Sequence, residues 1–270
     1  MSTNNTERMS NAPVYYALVQ VKFTPVAAMS KYVPEIQDAL RVEGFPLFEV
    51  ENNTQLKFEI KNPNEPPIHS FEAVTQWLMT STDRKSGFIL GNDLITFHTT
   101  NYDTHEPFIS SLLLGLGKVL EFAKPSLVSR IGLRYLDAVF PGEDESIEQY
   151  LVKELHGVNF GLTPIQSVQE AVYQTSVGPL ISNGFMVSRI HRMDGQLGFP
   201  PDMVPKGLLP LPRFSNTQKR MHAIIDTDHY VEGNITPDLE LINKQIVSLH
   251  SKVKEAFRGM VSEFACKKWR

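Results

Sequence analysis

The chain has 270 residues, enough to bury one large hydrophobic core or two smaller ones, and its 41% hydrophobic and 21% charged residues exclude a protein that is disordered throughout. With a formal net charge of −4, the chain lacks the general basic character of proteins that bind duplex nucleic acid, although the composition does not exclude a local basic patch. A single cysteine, Cys266, excludes an intramolecular disulfide and a cysteine-rich metal site, and it favours a reducing compartment.

The N-terminal residues 1–12 lack the apolar segment of a signal peptide. Because they are polar, they predict a disordered start to the chain. No later segment has the uninterrupted apolar length that a membrane-spanning helix needs. The sequence therefore predicts a cytoplasmic protein that makes no contact with a membrane.

The N-terminal half, residues 13–141, begins with a strand pattern followed by a helix pattern. Apolar side chains alternate over residues 15–23, which is typical of a strand with one buried face, and a helix is predicted to continue to about residue 42. Residues 47–60 predict a hairpin that turns at Asn52-Asn53, because asparagine tolerates left-handed backbone. The other predicted elements of this half are strands at about 74–82, 87–90 and 94–102 and a helix at about 104–124.

Residues 127–140 predict the central strand of a sheet, since every second side chain on one side is apolar or aromatic. The other side carries two arginines that flank a glycine: Arg130, Gly132 and Arg134. A pleated strand points alternate side chains to opposite faces. Two guanidiniums are therefore predicted on one face of the sheet, with a hydrophobic core on the other.

An acidic loop after Phe140 marks the boundary to a C-terminal half at residues 146–270. Residues 197–213 contain five prolines and predict a long loop that is either functional or disordered. The other predicted elements are a helix at 147–155, strands at 166–177, 184–193 and 220–231, and a long amphipathic helix at 236–264. Together these patterns predict an α+β protein with mostly antiparallel sheets in two halves, helices packed on one face and a long C-terminal helix.

Arg130 and Arg134 are candidates for an anion clamp, because neighbouring guanidiniums on one face bind phosphate or carboxylate with directional donors. Asp137, at the end of the same strand on its apolar side, joins this candidate ligand site. As an alternative, the arginines pair with acidic side chains of neighbouring strands or of a covering helix. Asp137 is then a hydrogen-bonded end cap, since a buried carboxylate needs partners or a raised pKa.

Asp226 and Asp228 are candidates for a metal site, because residues two apart on a strand project the same way and carboxylate oxygens bind divalent cations. His222 lies on the same predicted face and is the candidate third ligand. As an alternative, the aspartates are polar strand-end residues bonded to turn backbone. No paired-histidine helix, phosphate-binding glycine-rich loop or nucleophile elbow occurs in the sequence, so no cofactor and no catalytic residue is predicted.

Short stretches from both ends and the middle of the chain carry a resemblance to a known family. They are residues 19–23, Gly132 to Asp137, Ile225 to Asp228, and His250 with Phe257 in the last helix. With them the chain, from about Val14 to Phe264, resembles a sporadically distributed family of prokaryotic proteins with a GLRYxD-type strand motif. The resemblance implies a prokaryotic protein without assigned catalytic residues, and the patchy distribution of the family implies an association with mobile or defence genes.

The leading hypothesis is a non-enzymatic protein-binding or regulatory module of a defence or toxin-related system. It predicts a protein partner or a homo-oligomer that binds through the proline-rich loop and the sheet surfaces. Two alternatives stay open, a sensor of small anions or nucleotides at Arg130 and Arg134 and a metal-dependent hydrolase at Asp226 and Asp228. A basic concave pocket with both arginines favours the sensor, whereas convergent carboxylates with an open coordination position favour the hydrolase.

Overall fold

The computed structural model of the protein describes residues 9–59, 68–158, 160–162, 164–215 and 218–270. These residues form an α+β fold. Within the described ranges, no helix combines the length and the apolar character that crossing a membrane requires. The strands are β1 (Val14–Phe23), β2 (Leu47–Glu59), β3 (Ile68–Thr80), β4 (Ser86–Leu90), β5 (Leu94–Thr99), β6 (Val128–Val139), β7 (Gln166–Ser176), β8 (Asn183–Gly195) and β9 (Arg220–Ile235). The helices are α1 (Met29–Val42), α2 (His105–Phe122), α3 (Ile147–Tyr150), α4 (Leu239–Met260) and α5 (Glu263–Lys268).

All nine of these strands lie in one antiparallel sheet, in the order β2-β3-β4-β5-β1-β6-β9-β8-β7. The prediction of mostly antiparallel strands is confirmed. The predicted halves do not form separate sheets, because β6 from the first half pairs with β9 from the second over residues 128–139. This pairing satisfies the backbone hydrogen bonds on the edge of β6 that β1 leaves open, and β6 is buried along almost its whole length.

The hairpin predicted at residues 47–60 is wrong. β2 runs without a turn from Leu47 to Glu59 and pairs along its whole length with β3. Asn52 lies in mid-strand opposite Thr75, whose hydroxyl donates to the side-chain oxygen of Asn52 at 2.9 Å. The asparagine side chain therefore bonds across two strands at the protein surface, and its tolerance of left-handed backbone is not used.

The first described residues pack against the C-terminal end of the chain. The backbone N–H of Asn11 donates to the carbonyl oxygen of Trp269 at 2.9 Å, and Met9 contacts the apolar cluster that contains Trp269. Residues 1–8, the larger part of the segment predicted to be disordered, lie outside the described residues. The two ends of the described chain thus meet beside α5.

Helices cover one face of the sheet, which we call the helix face. α1, α2 and α4 pack on alternate residues of the central strands, such as Val19 and Ile131, in one large apolar cluster. α3 and α5 pack in a second cluster at the ends of β6, β8 and β9. Tyr135 belongs to the first cluster and Val139 to the second. Asp137 lies between them on the same side of β6, so the two apolar clusters meet at a buried carboxyl.

Residues 196–215, which we call the strap, cross the opposite face of the sheet, which we call the strap face. Phe199 and Phe214 pack on Tyr15 of β1 in a third apolar cluster. Near its middle, the strap is tied to β2 by an ion pair between Lys206 and Glu51. The proline-rich loop predicted at residues 197–213 is therefore a packed segment. Because proline lacks a backbone donor, the strap forms no strand, and side-chain packing together with single hydrogen bonds, such as that from the Leu209 N–H to the Arg84 carbonyl oxygen, holds it on the sheet.

Candidate functional site

The pairing of β6 with β9 brings the two candidate sites of the sequence together on the strap face. In this register Arg134 lies opposite Asp228, and Leu136 lies opposite Asp226. Directly opposed residues of paired strands project to the same face, so the arginines and aspartates form one cluster and not two separate sites. We call it the charged cluster, and its members are Arg130, Arg134, Arg189, Asp202, Asp226 and Asp228.

Arg134 and Asp226 form the buried centre of the charged cluster. The Arg134 guanidinium donates through Nε and Nη2 to the two carboxylate oxygens of Asp226, each at 2.7 Å, and Asp226 is fully buried. Nη1 of Arg134 donates to Asp202 of the strap at 2.6 Å. Burial alone raises the pKa of Asp226, but its neighbours His191, Arg134 and Arg189 outweigh burial and hold the pKa below its ordinary value. Asp226 is therefore ionised, and the guanidinium balances its charge.

Arg130 lies at the accessible side of the charged cluster. Its guanidinium stacks over the Tyr230 ring at 4.2 Å from the ring centre, 3.4 Å from Asp228 and 3.5 Å from Glu232. These ion pairs are longer than a close charge-assisted hydrogen bond, so they hold Arg130 less firmly than the Asp226 fork holds Arg134. Burial raises the pKa of Asp228, and the charge of Arg130 opposes that effect. Solvent therefore reaches Arg130 and Asp228, whose side chains are 21% and 20% exposed, but it does not reach Asp226.

The charged cluster is not a free basic pocket. Each of its arginines lies within ion-pair distance of an acidic side chain, in the pairs Arg130–Asp228, Arg134–Asp226 and Arg189–Glu170. An incoming phosphate or carboxylate would have to displace these carboxylates from the guanidiniums. The geometry corresponds to the alternative in which the arginines pair with acidic neighbours on adjacent strands.

His222 is not brought together with the two aspartates. Its Nδ1 lies 2.9 Å from the carbonyl oxygen of Arg220, and its ring packs 5.7 Å from that of Phe140. Four residues of strand separate it from Asp226, which is roughly 13 Å along an extended chain. In the part of the chain that the structure describes, no three His, Cys, Asp or Glu side chains come close enough together to hold a metal ion.

Asp137 lies on the helix face, away from the charged cluster. It is buried, and its Oδ1 has no hydrogen-bond partner among the described residues. Burial raises the pKa of Asp137 to about 8, and the negative charge of Asp226 adds to the shift. Thr227, on the neighbouring strand β9, also has a buried hydroxyl without a hydrogen-bond partner among the described residues. At neutral pH Asp137 is therefore mostly a neutral carboxyl group that spares the protein an unpaired buried charge.

Gly132, between the two arginines, leaves the space in which Arg130 and Tyr230 stack. A Cβ atom at this position would lie 3.0 Å from Cβ of Tyr230 and 3.4 Å from Nη1 of Arg130. We expect Gly132→Ala to lower the free energy of unfolding by about 1–2 kcal/mol, because the added methyl group overpacks a filled site. Urea denaturation of the variant and the wild type measures this difference.

A glycine in an open position provides the control for Gly132→Ala. At Gly117 in α2, an added Cβ would meet only Cδ1 of Leu239, at 3.7 Å. Gly117→Ala is expected to raise stability by up to about 1 kcal/mol, because alanine favours helix over glycine. Equal effects of the two substitutions would contradict the steric role of Gly132.

A different surface, which the sequence did not single out, lies at the free edge of the sheet. β7 is the last strand of the sheet, and it follows directly on a loop whose described residues, 157–158, 160–162 and 164–165, include four exposed apolar side chains, Val158, Phe160, Leu162 and Ile165. We call β7 and this loop the edge corner. The signal in the sequence is the composition of residues 166–176, which hold one charged residue and no proline. Only the strand order places them at an edge, and the sequence does not reveal that order.

Comparison of the chain with models of known protein families and with curated proteins finds no match. The family resemblance carried by residues 132–137 therefore stays a prediction, as do the prokaryotic origin and the defence association that it implies. The function has to be argued from the geometry of the charged cluster, Asp137 and the edge corner.

Proposed function

We propose that the chain is a protein-binding module that engages its partner through the edge corner. One observation carries the proposal: an edge strand of 11 residues with a single charged side chain, Glu170, continues from a loop whose apolar side chains are exposed. Soluble proteins generally protect long uncharged edges and keep contiguous apolar patches small. The edge corner therefore has the composition of an interface.

β7 offers backbone hydrogen bonds to an added strand. One edge of β7 pairs with β8 in continuous register, and the other edge has no neighbour among the described strands. The lysine, proline and bulges that commonly blunt edge strands do not occur in β7. An extended segment of a partner can therefore pair with β7 as a tenth strand of the sheet.

The opposite edge of the sheet, β2, differs in this respect. It carries several charged side chains, among them Glu49 and Glu51. These two form ion pairs with Arg84 and with Lys206 of the strap. An added strand at β2 would meet this layer of charges, so the sheet has one blunted edge and one open edge.

The loop of the edge corner adds apolar contact area. Its side chains Val158, Phe160, Leu162 and Ile165 are 77–79% exposed. They border a cleft of about 1710 Å³ whose walls also include Glu148 and Arg192. This volume exceeds the 300–1,000 Å³ or so of a typical small-ligand pocket, which favours a polypeptide segment as the occupant.

Site-specific photo-cross-linking in the cells that express the protein tests the proposal. Val168 of β7 and Val50 of β2 are both 51% exposed, so a photoreactive p-benzoylphenylalanine at either position samples an equally accessible edge. We expect a discrete cross-linked polypeptide from position 168 and none from position 50. The product is expected to disappear when the same chain also carries Val172→Lys, because a lysine on an edge strand opposes strand addition.

The matched control for the second substitution is Val50→Lys, which places the same charge on β2. It is expected to leave the cross-link at position 168 unchanged. The proposal fails if positions 168 and 50 give the same products, or if position 168 gives none.

A further inference from the structure

We propose that the partner of β7 is the β7 strand of a second copy of this chain. The two nine-stranded sheets then join into one antiparallel sheet across a two-fold axis. This inference rests on the proposed function, since it names the occupant of the same edge. Closed two-fold dimers are the commonest assemblies of soluble chains, and they require a surface that is complementary to itself.

The charge of β7 meets that requirement. Its single charged side chain, Glu170, lies with Oε2 2.5 Å from Nε of Arg189 on β8. Each copy therefore brings a compensated charge to the interface, and two copies approach without net repulsion. The rest of the strand consists of neutral polar, small and apolar side chains, which a second identical strand can face on both sides.

The pattern of apolar side chains selects a register. Antiparallel pairing about a two-fold axis at Glu170 places Val168 opposite Val172 of the second copy, and Val172 opposite Val168. Both valines are more than half exposed in the single chain. On the helix face, the same register places the half-exposed Tyr173 opposite Ser167 of the second copy. This register buries the exposed valines of both copies against each other.

The register extends over residues 166–174 of each strand, a length of roughly 30 Å at 3.4 Å per residue. Pairing closes the open backbone groups on both β7 strands. Ile165, which is 79% exposed, lies directly before the paired region, so the apolar loops of both copies flank the new strand pair. The dimer therefore covers the edge strand and part of the exposed apolar loop in a single step.

Size-exclusion chromatography with light scattering of the purified full chain tests the inference. The wild type is expected to have twice the mass of one chain, and Val172→Lys is expected to have the mass of one chain. Val50→Lys, with the same charge on the other edge, is expected to keep the double mass. Circular dichroism and thermal melting establish that both variants are folded, so a misfolded variant is not scored as a monomer.

Disulfide trapping tests the register. In a Cys266→Ser background, Glu170→Cys is expected to form an intermolecular disulfide under mild oxidation, because the two-fold axis brings position 170 beside itself. Gln174→Cys lies on the same face, but its predicted neighbour is residue 166 of the second copy, so it is expected to stay reduced. Efficient trapping at position 174 without trapping at 170 would overturn this register.

The outcomes separate the two proposals. A single-chain mass for the wild type, together with a cross-link from position 168 to a different polypeptide, overturns the dimer and supports strand addition by another protein. A double mass that Val172→Lys leaves unchanged places the dimer interface elsewhere and overturns the inference. A single-chain mass with no cross-link specific to position 168 overturns both the dimer and the proposed function.

Discussion

Arg134→Ala is expected to lower the free energy of unfolding by about 3–5 kcal/mol, because it leaves the carboxylate of Asp226 buried without its counter-charge. Asp226 is fully buried and receives two hydrogen bonds of 2.7 Å from Arg134. Two further basic side chains lie within ion-pair distance of Asp226: Arg189 at 3.5 Å, which is itself bonded to Glu170, and His191 at 3.8 Å. Guanidinium chloride denaturation monitored by circular dichroism measures the loss.

Two variants separate the buried fork from the outer ion pair of the same arginine. Asp202→Asn removes the partner on the strap, whose side chain is 64% exposed, and is expected to cost less than about 1 kcal/mol. Arg134→Met combined with Asp226→Leu removes both buried charges and is expected to recover most of the stability lost in Arg134→Ala. A loss below about 1 kcal/mol for Arg134→Ala would show that water reaches Asp226 in solution.

Asp137→Asn is expected to remove a fall in stability that the wild type shows as the pH rises. The carboxyl has an ordinary pKa of 3.8 in the unfolded chain and a pKa of about 8 in the fold. Between these values the folded protein keeps a proton that the unfolded chain has lost, so rising pH favours unfolding. The loss accumulates from about pH 4 and is complete above about pH 8, and at about 1.4 kcal/mol per pH unit it reaches about 6 kcal/mol.

Buried histidines define the pH range in which this effect is best measured. Burial lowers the pKa of His98 to about 3 and that of His250 to about 4, so both bind protons more readily in the unfolded chain. These histidines make the stability of the protein rise with pH up to about pH 6.5, and above that pH their contribution is constant. They therefore oppose the effect of Asp137 only below about pH 6.5. Between pH 6.5 and 8, Asp137 is expected to lower the free energy of unfolding by about 2 kcal/mol in total.

Denaturant titrations at half-unit steps over this range, on the wild type and Asp137→Asn, measure the slope. The exposed variant Asp38→Asn, whose side chain is 68% exposed, is expected to keep the slope of the wild type. If Asp137→Asn keeps that slope as well, Asp137 is ionised in the fold at neutral pH. A further group, in contact with its Oδ1, would then have to balance the charge.

The local periodicity of the sequence predicts most of the strands and the faces of their side chains. Alternation alone puts Arg130 and Arg134 on one side of β6 and Asp137 on the other, and the same rule puts Asp226 and Asp228 together. Alternation does not say which strands are neighbours. The sequence therefore assigned the arginines and the aspartates to rival sites, whereas the pairing of β6 with β9 joins them in one charged cluster.

The remaining differences also come from tertiary contacts. Asn52 has a turn preference in isolation, but pairing with β3 outweighs that preference and keeps β2 straight. Apolar residues follow no helix or strand periodicity in the sequence of the strap, because aromatic and ionic contacts with the sheet fix its path. The sequence of a proline-rich segment does not reveal such contacts. The open edge of β7 depends on the absence of a neighbouring strand, which is a property of the whole sheet.

The path of the strap also orders the events of biosynthesis. The ribosome completes β1 to β6 long before residues 196–215 emerge, so Tyr15 and Tyr16 have no cover on the strap face while the middle of the chain is being made. β9, which closes the free edge of β6, is synthesised later still. The nascent N-terminal half therefore presents an aromatic surface and an unpaired strand edge to solvent or to a chaperone until β9 is translated.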